Sequence, residues 1–166
     1  ISFGDTLSVI AIASSLTSDD ISIEEYEWIS NIDGLVSSSL NLSTTDLSLG
    51  SHTLTFRAKN SVGFWSANAS LSIVVNAVPT IELDSINPNP VIAGEESQIT
   101  VTGLDEDEND IITFFWSTDS VTLFNDENKA LFSTQSTDQG DHIISVYVED
   151  SKGAKSNVLN ITISII

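Results

Sequence analysis

Apolar residues recur at every second position along most of this chain. Leu7, Val9, Ala11 and Ala13 follow that spacing, as do Leu54, Phe56 and Ala58 behind His52, and later Leu71, Ile73 and Val75. The second half repeats it with Ile99 and Val101, with Ile112, Phe114 and Trp116, and with Ile144, Val146 and Val148. Leu159, Ile161, Ile163 and Ile165 close the chain the same way. Successive side chains of a strand point to opposite faces, so this alternation predicts sheets with one buried face each. No 3.6-residue stripe of helical length interrupts it, and the abundance of Ser, Thr, Val and Ile suits strands. The pattern predicts an all-β protein.

The pattern also repeats. Gly50-Ser51-His52 returns 90 positions on as Gly140-Asp141-His142, and Ser61-Val62-Gly63 returns as Ser151-Lys152-Gly153. Leu71 and Ile73 align with Ile161 and Ile163, and Gly4-Asp5 with Gly94-Glu95. Trp28 and Trp116 are 88 apart, which implies a small length change between anchors. Anchors in one order over the whole chain indicate duplication. The join falls at Asn76-Ala77-Val78-Pro79, dividing the chain into modules at 1–76 and 78–166. Before its Gly94 the second module has a strand candidate, Thr80–Leu83, whereas only Ile1-Ser2-Phe3 precede Gly4. The first module is therefore expected to lack its first strand and to present an open or abnormally filled sheet edge.

Composition narrows the function classes. The formal charge is −19, from 24 acidic residues against Arg57, Lys59, Lys129, Lys152 and Lys155. Such a chain repels phosphate backbones and anionic lipid, which excludes nucleic acid as a partner. The acidity serves solubility in a salty exterior or, in a sharper reading, binds divalent cations. There is no Cys, hence no disulfide and no thiolate chemistry. That absence in a small extracellular module leans towards a bacterial or archaeal surface protein. No apolar run approaches the roughly 20 residues of a membrane span, so no membrane insertion is expected in this segment. No signal-peptide pattern opens the sequence, so any targeting segment or anchor is expected outside it.

The motifs carry a resemblance. Tyr26-Glu27-Trp28, Ile32-Asp33-Gly34, the run Leu47 to Leu54, and Asn60-Ser61-Val62-Gly63-Phe64-Trp65-Ser66 stand in order in module one. Module two supplies the acidic run 105–111, Phe114-Phe115-Trp116, Gly140-Asp141-His142 and Val148-Glu149-Asp150-Ser151-Lys152-Gly153. In this order they resemble the polycystic-kidney-disease (PKD) repeat and its bacterial and archaeal Ig-like relatives, over nearly the whole chain. The acidic and glycine-rich stretch that usually follows the family's Trp is missing from both modules. The resemblance implies two tandem Ig-like (PKD-like) β-sandwich domains. It also implies an extracellular spacer or adhesion role, sometimes calcium-stiffened, often beside a catalytic domain on the same chain. Neighbouring domains of that chain are the expected partners, with a surface glycan or protein as further ones.

Candidate chemistry is sparse. Asp105, Asp107 and Asn109 are spaced i, i+2, i+4 with Asp110 adjacent, and alternate carboxylates in a loop can converge on calcium, which favours six to eight hard oxygens. Under the family's fold Asp150 approaches the same loop. The competing account is a solvated turn in which Asp and Asn bond their own backbone. Calcium is the one cofactor these residues invite. Phe64 and Trp65 lie in a turn, where exposed aromatics stack on sugars but also pack across a sandwich end. His52 and His142 share one repeat position just after a glycine turn, and neither is given a catalytic partner, which points to structure. No nucleophile elbow or phosphate loop occurs, so no catalytic residue is assigned and the chain is not expected to be an enzyme. Asn41, Asn68 and Asn160 open N-glycosylation sequons. The leading expectation is a non-catalytic spacer or adhesion module of a larger secreted or cell-surface protein. The alternative is a glycan- or protein-binding accessory module of a secreted hydrolase.

Overall fold

A computed structural model describes residues 1–15, 21–107, 110–118 and 122–166. It divides into two compact units, Ile1–Asn76 and Ala77–Ile166. Every regular element among the described residues is a β-strand, and all pairings between the strands are antiparallel.

The first unit runs β1 (Leu7–Val9), β2 (Ile23–Ser30), β3 (Gly34–Ser37), β4 (Leu42–Thr44), β5 (Gly50–Asn60) and β6 (Ala69–Val75). They form a two-stranded sheet, β1-β4, and a four-stranded one, β3-β2-β5-β6. The alternating residues supply the core: Trp28, Leu42, Leu54, Phe56 and Val75 are buried, with Leu7, Val9, Ala11 and Ala13 packed against them. The ladder of β1 stops at Val9, although burial goes on alternating to Ser15. Past Val9 the backbone N–H of Ala11 bonds a side chain, Asn41 Oδ1, at 3.2 Å.

The second unit runs β7 (Thr80–Asn87), β8 (Glu96–Leu104), β9 (Thr113–Thr118), β10 (Thr122–Asp126), β11 (Lys129–Ser133), β12 (Gly140–Glu149) and β13 (Leu159–Ile165). Its sheets are β10-β11-β8-β7 and β13-β12-β9. Four strands on three in this order are the layout of a constant-type immunoglobulin sandwich. Between the sheets lie Val91, Ile99, Val101, Phe132, Ile144, Val146 and Ile163, all buried.

Duplication is visible in the registers. Trp28 stands opposite Phe56, and Trp116 opposite Val146, which is 90 positions beyond Phe56. Each indole N–H donates to a carbonyl two residues ahead of the next core strand: Leu40 before β4 at 3.2 Å, Glu127 before β11 at 3.0 Å. The units differ in the strand between. β3 pairs with β2, whereas β10 pairs with β11, on the opposite sheet. The Trp-to-facing-strand interval is two residues longer in the second unit, and the sheet switch falls within that interval.

They differ again at the start. β7 lies along β8 from Thr80↔Leu104 to Asn87↔Gln98. No strand among the described residues pairs with the corresponding outer edge of β1. Both units do share an isolated parallel bridge: Ser2↔Asn76, one residue past β6, in the first, and Val91↔Ile165, at the end of β13, in the second.

Candidate functional site

The loop after β8 gathers the densest chemistry. Asp105, Asp107 and Asp110 bring carboxylate oxygens within 4.8 Å of one another. Local bonds shape the loop: the N–H of Asp107 donates to Asp105 Oδ1 at 2.7 Å, and that of Ala77 to Asp107 Oδ2 at 3.1 Å. Lys152, from the turn between β12 and β13, reaches in, its Nζ 2.7 Å from Asp107 Oδ2 and 3.1 Å from Asp110 Oδ2. Ser151 Oγ donates to Asp110 Oδ1. That hydroxyl, opposed by burial and helped by the Lys152 ammonium, holds the Asp110 carboxyl below the usual carboxylate range. The Asp107 carboxylate, with Asp110 behind it, holds the Lys152 ammonium above the usual lysine range.

Three carboxylates against one ammonium leave a negative excess. Asp105 Oδ2 is buried and receives no hydrogen bond among the described residues. A buried carboxylate oxygen without a donor is costly unless a cation or donor meets it. Hard oxygens, a negative excess and an orphaned oxygen fit calcium, and Asp105, Asp107 and Asp110 are the residues that would hold it. Asn109 lies outside the described residues. Asp150 is not one of these three, and its Oδ1 accepts the N–H groups of Lys152 at 2.9 Å and Ala154 at 2.8 Å, closing its own turn. Asn60 does the same for Val62 and Phe64 in the first unit. A neutral amide therefore suffices for that job.

The histidines brace turns. His52 is 1% exposed, with Nε2 2.7 Å from the Ser48 carbonyl; His142 Nε2 lies 2.9 Å from the Asp138 carbonyl, 90 positions on. Sequence separation concealed one neighbourhood. The turn after β2 brings Ser30 Oγ to 2.8 Å and Asp33 Oδ2 to 3.5 Å from His52 Nδ1, so an acid and a hydroxyl do surround this ring. A nucleophilic relay needs them on opposite ring nitrogens. Here both face Nδ1, while Nε2 must donate to a carbonyl. Ser30 is 2% exposed and accepts the N–H groups of Ile32 and Asp33. This group holds a turn.

Trp65 is half-buried beneath cations. The Arg57 guanidinium sits 4.3 Å from its ring centre and the Lys59 ammonium 5.6 Å, and Glu27 and Glu25 pair with these at 2.6 and 2.7 Å. In the second unit the partners are exchanged. Lys155, at the Trp65 position, lies 5.3 Å from the ring of Tyr147, at the Arg57 position. Phe64 is 72% exposed beside Trp65. Asn41, Asn68 and Asn160 are all exposed.

No protein-family model matches the chain, and no curated protein matches it. Solved structures do. Over 99% of its length the chain is similar to the N-terminal eight Ig domains of Down Syndrome Cell Adhesion Molecule, at 15% identity and a TM-score of 0.61, and it spans 22% of that chain. It is also similar to three Ig domains of titin, at 15% identity and a TM-score of 0.47, covering 99% of this chain and 60% of that one. The Clostridium thermocellum CbhA fibronectin(III)-like modules match at 21% identity and a TM-score of 0.42, with 99% and 87% covered. The first likeness agrees with the strand orders above. The chain is a tandem of Ig-like β-sandwiches.

Proposed function

We propose that the chain is a non-catalytic, PKD-like spacer or adhesion segment of a larger secreted or cell-surface protein, its second unit stiffened by calcium at Asp105, Asp107 and Asp110. The observation that carries the spacer reading is the repetition of structural bonds. The same histidine, tryptophan and turn positions make the same hydrogen bonds in both units, so side chains capable of chemistry are spent twice on the fold. Calcium rests on the negative excess and on the orphaned Asp105 oxygen. When bound, it supplies a divalent charge that ties the loop's carboxylates together.

Lys152 makes this testable, because its ammonium competes for the same oxygens. Calorimetric titration with calcium should give heat for the unaltered chain, none for Asp107→Ala, and tighter binding for Lys152→Gln. Binding the folded state alone at about 100 times the dissociation constant adds roughly 2.7 kcal/mol of stability. Heat unaltered by Asp107→Ala removes this site, and absence of heat in every variant leaves Lys152 as the cation the loop was built around.

A second reading has one observation behind it. Phe64, exposed at the turn beside Trp65, suits a glycan- or protein-binding accessory module of a secreted hydrolase. It is the weaker one, since Arg57 already covers the ring of Trp65.

A further inference from the structure

One pair of positions on the outer face of the sheet differs in kind between the two units. In the first unit, Glu27 of β2 stands opposite Arg57 of β5 and pairs with it at 2.6 Å. In the second, Phe115 of β9 stands opposite Tyr147 of β12, and the two rings stack at 4.9 Å between centres and 9° between planes. Glu149 pairs with Thr113 on one side and with Lys155 on the other, so Lys155 reaches Tyr147 from the side away from β9. Tyr147 therefore has a ring on one face and an ammonium over the other. Phe115, 39% exposed, keeps open the face that it turns away from Tyr147.

That face looks over a bare edge. β3 pairs along β2 in the first unit, whereas β10 pairs with β11 in the second, and no strand among the described residues pairs with the outer side of β9. Where the edge is covered, the position holds a carboxylate in an ion pair. Where it is bare, the position holds a ring. The first unit shows that the sandwich does without an aromatic residue here, and a ring this exposed returns little of its apolar area to the fold.

We propose that Phe115 and the outer edge of β9 form a binding site for a neutral saccharide, one pyranose ring stacking on the open phenyl face. The C–H bonds on a pyranose face carry partial positive charge, which meets the negative face of an aromatic ring. An edge strand presents unpaired N–H and C=O groups in one row, and sugar hydroxyls use both donors and acceptors. Thr113 and Ser117, exposed on the same side of β9, add two hydroxyls. Lys155, the cation of this column, lies behind Tyr147, and the charge of −19 repels acidic sugars. The saccharide is therefore uncharged, with equatorial substituents that leave its ring faces to C–H bonds. A β-1,4-linked glucan meets both conditions. The proposal goes beyond the spacer reading and uses no residue of the calcium loop, so either can fail alone.

The probe is cellohexaose, titrated into the unaltered chain without calcium and followed by amide and aromatic chemical shifts. Shifts should gather at Thr113, Phe115, Ser117 and Tyr147 and saturate with a dissociation constant of about 1 mM. Phe115→Ala should weaken binding about ten-fold or more. A second variant guards against a loosened sheet: Phe115→Glu with Tyr147→Arg installs the pair that the first unit folds with. It should lose the shifts while the rest of its spectrum stays that of the unaltered chain. No saturable shift by about 10 mM cellohexaose overturns the proposal, as does binding that either variant retains in full. Shifts at Phe64 and Trp65 in place of Phe115 also overturn it, by putting the sugar on the first unit.

Discussion

Asp33 and His52 illustrate how far single residues can be read from a repeat. The two histidines stand out in the sequence because each follows a glycine at the same offset, and both glycines take positive φ, 120° and 122°. What surrounds His52 was not legible, since Ser30 and Asp33 reach it through a turn that no local pattern announces. The Ser48 hydroxyl, helped by its N–H and by His52 and opposed by burial, holds the Asp33 carboxyl below its usual range. A depressed carboxylate contributes stability above its unfolded pKa and loses that contribution as pH falls through the folded value. Chemical denaturation of the first unit from neutrality into the acid range should therefore show a loss that Asp33→Asn makes shallower. An identical acid limb in the variant contradicts this assignment. The acidic run at 105–110 was legible as a cluster. Its occupation by Lys152 was not, because 42 residues separate Lys152 from Asp110.

Among the elements, the long alternating strands could be read directly, and β5, β8, β12 and β13 carry the residues whose spacing predicted them. The short strands β3 and β10 could not, since four or five residues hold too little alternation to say which sheet they join. Their switch of sheet comes from pairing, not propensity. Pairing also explains the exchanged cation and ring. Arg57 with Trp65 and Tyr147 with Lys155 fill the same two adjacent positions, where a ring beneath a cation is worth about 0.5–1 kcal/mol at an exposed site. Either order serves. A double-mutant cycle on Arg57→Ala and Trp65→Ala should give a coupling of that size, and Arg57→Tyr combined with Trp65→Lys should restore it. Additive single effects, or a swapped pair no better than either single variant, contradict the exchange.

At the scale of the whole molecule, duplication was the feature most open to sequence reading, because glycine turns and tryptophans mark equivalent strands even where their neighbours diverge. The central claim is that this chain bears structure rather than chemistry, as two separately cooperative sandwiches. Stretching single molecules from end to end tests it most directly. Extending the first unit releases 76 residues and the second 90, roughly 270 and 320 Å of chain before the folded lengths are subtracted. The account predicts two discrete unfolding events with increments in that proportion, and calcium raising the force of the larger one only. A single event for the whole chain, a gradual extension without events, or calcium acting on the smaller step contradicts it.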